Sequence, residues 1–173
     1  MICDNYTADQ IIKLSQDNWP EIGNPGLEIV VYLNRVRDLG FAQAREVITA
    51  YGMSPGEFDI LMTLRRTASP HVLTPTELQQ SMIITSGGLT KLLYQLETRG
   101  LVSRSVQQHD KRSKLVHLTS KGKKTVEKTA AALIKVENKW LGDALSTHEL
   151  EQLKKLLGKA ARVLEERRTN RPV

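Results

Sequence analysis

The apolar residues of this chain change period at Gly100. Before it, Leu89, Leu92, Leu93 and Leu96 recur at three- and four-residue steps, the stripe of a helix with one buried side. After it, Leu101 to Val106 reads as a short strand, and Lys114-Leu115-Val116-His117-Leu118-Thr119 alternates at period two. Gly100 is placed to cap the helix where the pattern changes. An amphipathic helix that hands over to a hairpin across one glycine leaves few folds open.

The residues upstream narrow them further. Ser54-Pro55-Gly56-Glu57 is a capping box with proline at the first helical position, and it opens a helix from Glu57 to Arg66. Thr74-Pro75-Thr76-Glu77 repeats that signature and opens a short helix through Gln80 or Ser81, with Leu78 inward. The helix from Ser86 to Arg99 follows within a few residues. Short helix, tight connection and second helix make a helix-turn-helix; the hairpin behind it makes a winged helix.

Long helical patterns flank this unit. An amphipathic piece ends at Trp19-Pro20, and a longer stripe runs from Leu27 to about Tyr51, closed by Gly52. Beyond the hairpin, a helix starts at Ser120, carries Val126, Ala130, Leu133, Val136 and Trp140 on one side, and is expected to break at Gly142. Ser146-Thr147-His148-Glu149 caps a last helix with a stripe from Leu150 to Leu164. These helices carry more apolar surface than a small winged domain covers, which points to a helical dimerisation layer. The expected fold is mainly α, a winged helix-turn-helix with a two-stranded β-wing. Residues 1–52 form an N-terminal extension and first dimerisation helix, 53–122 the DNA-binding domain and 123–173 the C-terminal dimerisation helices. A two-fold homodimer would set its recognition helices about 34 Å apart, one turn of DNA.

Charge agrees with a polyanionic partner. The 173-residue chain has a formal net charge of +6, unevenly spread. Residues 1–50 hold four Lys/Arg against seven Asp/Glu, whereas 99–128 hold nine Lys/Arg against Asp110 and Glu127 alone. The basic segment adjoins a helix start built from Thr85, Ser86, Gly87, Gly88, Thr90 and Lys91, whose short side chains let another surface approach the backbone. Close helix packing is the other use for those glycines. At the hairpin tip, Lys111, Arg112, Ser113 and Lys114 converge, with Arg112 suited to a minor groove and Asp110 to holding its direction. A solvated hairpin charge is the alternative there. Double-stranded DNA is the expected partner; an interaction adaptor that keeps the winged fold but binds protein is the alternative.

Other classes find no support. Hydrophobic content is 40%, without an apolar run of transmembrane length, and the acidic, polar N-terminus lacks a signal-peptide pattern, so the expected location is cytoplasmic with no membrane partner. Cys3 is the single cysteine, so no internal disulfide forms, and it has no neighbouring base or resolving cysteine for a redox role. His71, His109, His117 and His148 have no metal-ligand spacing, and no phosphate loop, nucleophile elbow or carboxylate pair appears. Neither metal, cofactor nor enzymatic activity is expected.

Two stretches carry a family resemblance. Asp110-Lys-Arg-Ser-Lys-Leu-Val-His-Leu-Thr119 with Ser-Lys-Gly122 resembles the wing signature of MarR-type transcriptional regulators, and Leu89-Thr90-Lys91 through Leu96-Glu97 to Leu101-Val102 resembles that family's recognition helix. The likeness spans roughly Leu27 to Leu164. It implies a homodimer on pseudo-palindromic promoter DNA, usually a repressor released by a small aromatic or anionic ligand. Leu64-Arg65-Arg66, Leu73 to Leu78 and Ser86 to Thr90 are similar to the urate-responsive PecS-like branch, as is the extra N-terminal helix with a tryptophan. That likeness implies an effector pocket using Trp19, Asp59 and Arg104. Leu92 stands where the branch has a second arginine, which removes a charge that an anionic purine would use. Arg104 on the first wing strand also suits phosphate or a carboxylate such as Asp59.

Overall fold

Each helix begins where a side chain can cap it. The computed structural model describes residues 6–82, 85–106 and 114–169. Helix α1 (Ala8–Asn18) starts at Thr7, whose hydroxyl accepts the Gln10 N–H while the Gln10 side chain returns to the Thr7 N–H. A single 3-10 turn, Pro20–Ile22, leads into α2 (Pro25–Ala50), capped by Asn24. Helix α3 (Pro55–Arg66) and α4 (Pro75–Ser81) open with the expected boxes, Ser54 with Glu57 and Thr74 with Glu77. Then come α5 (Ser86–Thr98), the hairpin, α6 (Ser120–Ala144) and α7 (Thr147–Thr169).

The sheet has one strand more than the sequence suggested. Strands β2 (Val102–Val106) and β3 (Lys114–Leu118) pair antiparallel as expected, but β1 (Val72–Leu73) pairs on the other edge of β3, giving the order β1-β3-β2. Two residues show no alternation, so the strand left no periodic trace. Its register, Val72 opposite His117 and Leu73 opposite Val116, ties the segment before the helix-turn-helix to the wing base. A second correction concerns Gly142, which does not break α6: the helix runs through it to Ala144, and a Cβ there would meet nothing within 4 Å. One glycine in an exposed last turn costs only about 1 kcal/mol. The stop comes instead at the Ser146 cap, where Glu149 accepts from the Ser146 N–H and hydroxyl.

The chain packs as two units, Met1–Leu133 and Ile134–Val173. In the first, α3, α4, α5, the sheet and the start of α6 enclose a core in which Ile60, Leu61, Leu64, Leu78, Leu96, Val116 and Val126 are wholly buried. Helix α1 lies along α2, with the Tyr32 hydroxyl donating to Asp9 at 2.6 Å. That hydrogen bond to a carboxylate, with burial and the nearby negative charge adding to it, raises the Tyr32 phenol above its ordinary range. The rest of α2 presents Ile29, Val30, Leu33, Val36 and Phe41 to the outside. In the second unit, α7 exposes Leu153, Leu156, Leu157, Val163 and Leu164. No helix among the described residues is long and apolar enough to cross a membrane.

Candidate nucleic-acid interface

Helix α5 is fixed at one end and open at the other. Its buried stripe is the predicted one: Leu89, Leu93 and Leu96 face the core, with Leu92 partly buried beside them. At the C-terminus the chain leaves through Gly100 at φ +67°, a conformation that costs glycine little. The Leu101 N–H bonds to the Leu96 carbonyl and the Gly100 N–H to that of Glu97, the paired closure of a Schellman turn. The cap residue itself is Arg99, one position before the glycine.

Three further contacts hold that end. Arg99 Nη1 donates to Glu57 Oε1 at 2.9 Å, and Glu57, nearly buried, also accepts from the Ser54 N–H and hydroxyl. Lys121 Nζ donates to the Arg99 carbonyl at 2.8 Å. The Thr119 hydroxyl donates to the Gly100 and Leu101 carbonyls and accepts from the Gly122 N–H. Helix α6 comes so close here that a Cβ on Gly122 would lie 2.0 Å from the Leu101 carbonyl oxygen. The same side chain that caps α3 therefore anchors the end of α5.

Among the described residues, the N-terminus of α5 has no such partners. Thr85 caps it by accepting the Gly88 N–H at 3.2 Å, but Gly88 occupies the position that Glu57 and Glu77 hold in α3 and α4. No acidic residue lies in the first turn, so the positive end of the helix dipole is left uncompensated. Thr85, Ser86, Gly87, Thr90 and Lys91 are exposed, and Gly88 is partly so. A Cβ added to Gly87 meets nothing within 4 Å, so packing inside the protein does not require glycine there. The Thr90 hydroxyl donates back to the Ser86 carbonyl at 3.0 Å. Beyond Lys91 the open face continues through Tyr94, Gln95 and Thr98, all exposed and all missed by the sequence reading. The available signal was geometric, since Tyr94 falls off the leucine stripe.

The wing strands hold their register from Val102 opposite Leu118 to Val106 opposite Lys114. Lys114 is thus the first residue of β3, while Asp110, Lys111, Arg112 and Ser113 lie outside the described residues, as does Cys3. Arg104 on β2 does pair with a carboxylate, but with Glu97 of α5, its Nε 3.1 Å from Glu97 Oε2, and not with Asp59. Its Nε and Nη2 are buried and make no well-directed hydrogen bond among the described residues. Asp59 lines a groove of about 350 Å³ with Gly56, Met62, Thr63, Arg66, Ser81 and Met82. Burial pushes the Asp59 carboxyl up from its ordinary range, and the Arg66 charge opposes the shift. Trp19 caps α1 and is 60% exposed. Neither Trp19 nor Arg104 is among the walls of the Asp59 groove. Leu92 packs toward Gly56, where an added Cβ would come within 2.8 Å of Leu92 Cδ1.

Comparison with known proteins matches this arrangement. Residues 51–113 fit the model of the MarR family. The chain is 28% identical to the HTH-type transcriptional regulator PecS of Dickeya dadantii over 157 residues, 91% of this chain and 94% of PecS. It is 30% identical over 115 residues to the HTH-type transcriptional regulator PrsX of Escherichia coli, 66% of this chain and 67% of PrsX. The chain belongs to the MarR family. It is a DNA-binding transcriptional regulator with a winged helix-turn-helix, and the protein-interaction adaptor is not favoured. Its fold is shared with a MarR family protein from Bacillus stearothermophilus at a TM-score of 0.70 and 23% identity, over 80% of this chain and 94% of that one. The similarity to PecS loosely supports the PecS-like branch.

Proposed function

We propose that the protein is a homodimeric repressor that binds pseudo-palindromic promoter DNA in the cytoplasm and releases it on binding a small aromatic or anionic ligand. The observation that carries the DNA part is the asymmetry of α5, whose C-terminus is tied by Glu57, Thr119 and Lys121 while its start, among the described residues, has only the Thr85 cap and no acidic side chain. Thr85, Ser86, Gly87, Gly88, Thr90 and Lys91 enter the major groove, and the wing residues Lys111, Arg112, Ser113 and Lys114 reach the adjacent minor groove, with Asp110 directing Arg112. Residues 53–122 form the DNA-binding domain. The dimer reading is supported twice over, by the apolar side chains exposed on α2 and by those exposed on α7, each more than a water-facing helix carries. The protein has no catalytic role; its named relatives are transcriptional regulators.

The effector reading rests on Asp59, Arg104 and Trp19. Among the described residues, Arg104 Nε is ion-paired with Glu97 while its buried Nη2 has no hydrogen-bond partner, and an acceptor on a ligand would satisfy it. Asp59 lies on a groove wall beside Arg66. Leu92 supplies no charge where the PecS-like branch has an arginine, which counts against urate.

The test is a binding titration of the purified protein against its own upstream promoter DNA and a scrambled control, over a series of salt concentrations. Sequence-dependent binding that falls linearly in log affinity with log salt supports the proposal. Equal affinity for both DNAs contradicts it. Adding aromatic acids and urate to the same assay, alongside thermal melts, tests the ligand: an effector raises the melting temperature and frees the DNA.

A further inference from the structure

Among the described residues of α5, Tyr94 is the one bulky apolar side chain turned outward; its exposure is 67%, while Leu89, Leu93 and Leu96 are buried. Gly87, Lys91, Tyr94 and Thr98 follow one another at four, three and four residues, so they form a single line along the outer face. Tyr94 sits about 10 Å beyond Gly87 along the axis at the usual helical rise. The major groove admits an α-helix, so a helix lying along it with this line inward turns the ring toward the base edges.

The other members of the line discriminate bases poorly. Gly87 has no side chain, Lys91 is a point charge suited to phosphate, and the Thr98 hydroxyl donates back to the Tyr94 carbonyl at 2.9 Å. Gln95, one residue on from Tyr94, lies about 100° round the helix from its ring. The Tyr94 ring is left as the group with both bulk and an apolar face. In the major groove the feature it suits is the thymine methyl, the one apolar group that base edges display there. We infer that Tyr94 reads a thymine methyl in each half-site. The inference rests on α5 being the recognition helix, as proposed above.

The experiment selects binding sites from randomised duplex DNA with the wild-type protein, Tyr94→Phe and Tyr94→Ala, then measures affinity for the selected wild-type site. Thermal melts of both variants should match the wild type, because the side chain is exposed. Tyr94→Phe should keep the selected motif. Tyr94→Ala should lose preference for thymine at one position per half-site and bind the wild-type site about a hundredfold more weakly, about tenfold for each half-site, the usual effect of a mismatched base pair. Replacing that thymine by deoxyuridine should cost the wild type about fourfold, the worth of one buried methyl group, and cost Tyr94→Ala nothing. The inference is overturned if Tyr94→Ala weakens all sequences equally, if Tyr94→Phe loses as much as Tyr94→Ala, or if the motif does not change. A wild-type protein that selects no motif would instead overturn the reading of α5 as a recognition helix.

Discussion

The two ends of α5 are built on opposite plans. At the C-terminus, Arg99, Gly100 and Leu101 are held by α3, by Thr119 and by the first turn of α6, with the Arg99–Glu57 pair at 2.9 Å as the long-range tie. At the N-terminus, the glycine at 87 faces open space and the first turn carries no acid. A helix packed along its leucine stripe and tied at its far end keeps its direction while the outer side of its first turn stays available. The difference teaches which small residues serve the fold and which serve the surface: Gly122 is demanded by a neighbour, Gly87 by none of the described residues.

The largest expected effect is at the fixed end. Gly122→Ala places a Cβ 2.0 Å from the Leu101 carbonyl oxygen, which backbone atoms cannot yield to cheaply. It should cost roughly 3 kcal/mol and lower the melting temperature by about 10 °C in a calorimetric scan. A variant as stable as wild type would mean that α6 does not clamp the wing base.

Next comes the tie itself. Arg99→Ala leaves the Glu57 carboxylate, 8% exposed, without its cation, while Arg99 is 38% exposed and partly screened by water. Chemical denaturation should show a loss of about 1–2 kcal/mol. DNA affinity should fall with it although Arg99 lies at the end of α5 away from the open turn; unchanged affinity would show that the tie stabilises without orienting.

The smallest effect separates the tie from its neighbour on the same helix. Asp59 has its folded-state carboxyl raised by burial, so the folded chain holds that proton more tightly than the unfolded chain. Its contribution is therefore most favourable below the ordinary carboxylate range and is lost as pH rises through the raised value. Asp59→Asn should raise the melting temperature slightly at neutral pH and not at acid pH, leaving DNA affinity unchanged without ligand. A stabilisation independent of pH would assign the effect to something other than the carboxylate charge.

Much of this arrangement was legible in the sequence because its signals are local. The Ser54-to-Glu57 and Thr74-to-Glu77 boxes fixed two helix starts, and the stripe from Leu89 to Leu96 fixed the inner face of α5. What escaped depended on contacts between distant segments. Glu57 and Arg99 are 42 residues apart, and nothing in either neighbourhood marks them as partners. Strand β1 is too short to alternate, and Gly142 ends a helix in pattern but not in energy. Tyr94 falls off the leucine stripe, and nothing local in the sequence separates an outward ring from any other exposed side chain. Packing gave Gly87 its meaning, since only the structure shows that none of the described residues would meet a Cβ there.

The DNA affinity of Gly87→Glu tests the central claim most directly. A glutamate in the first turn of α5 replaces a poor helix former and complements the helix dipole, in a place where an added Cβ finds open space. The fold should therefore be as stable as wild type or slightly more so. If the open end of α5 sits against DNA, the new carboxylate meets phosphate, and binding to the promoter should fall by about a hundredfold or more at low salt. Promoter affinity equal to that of the wild type, in a protein that melts normally, would contradict the account.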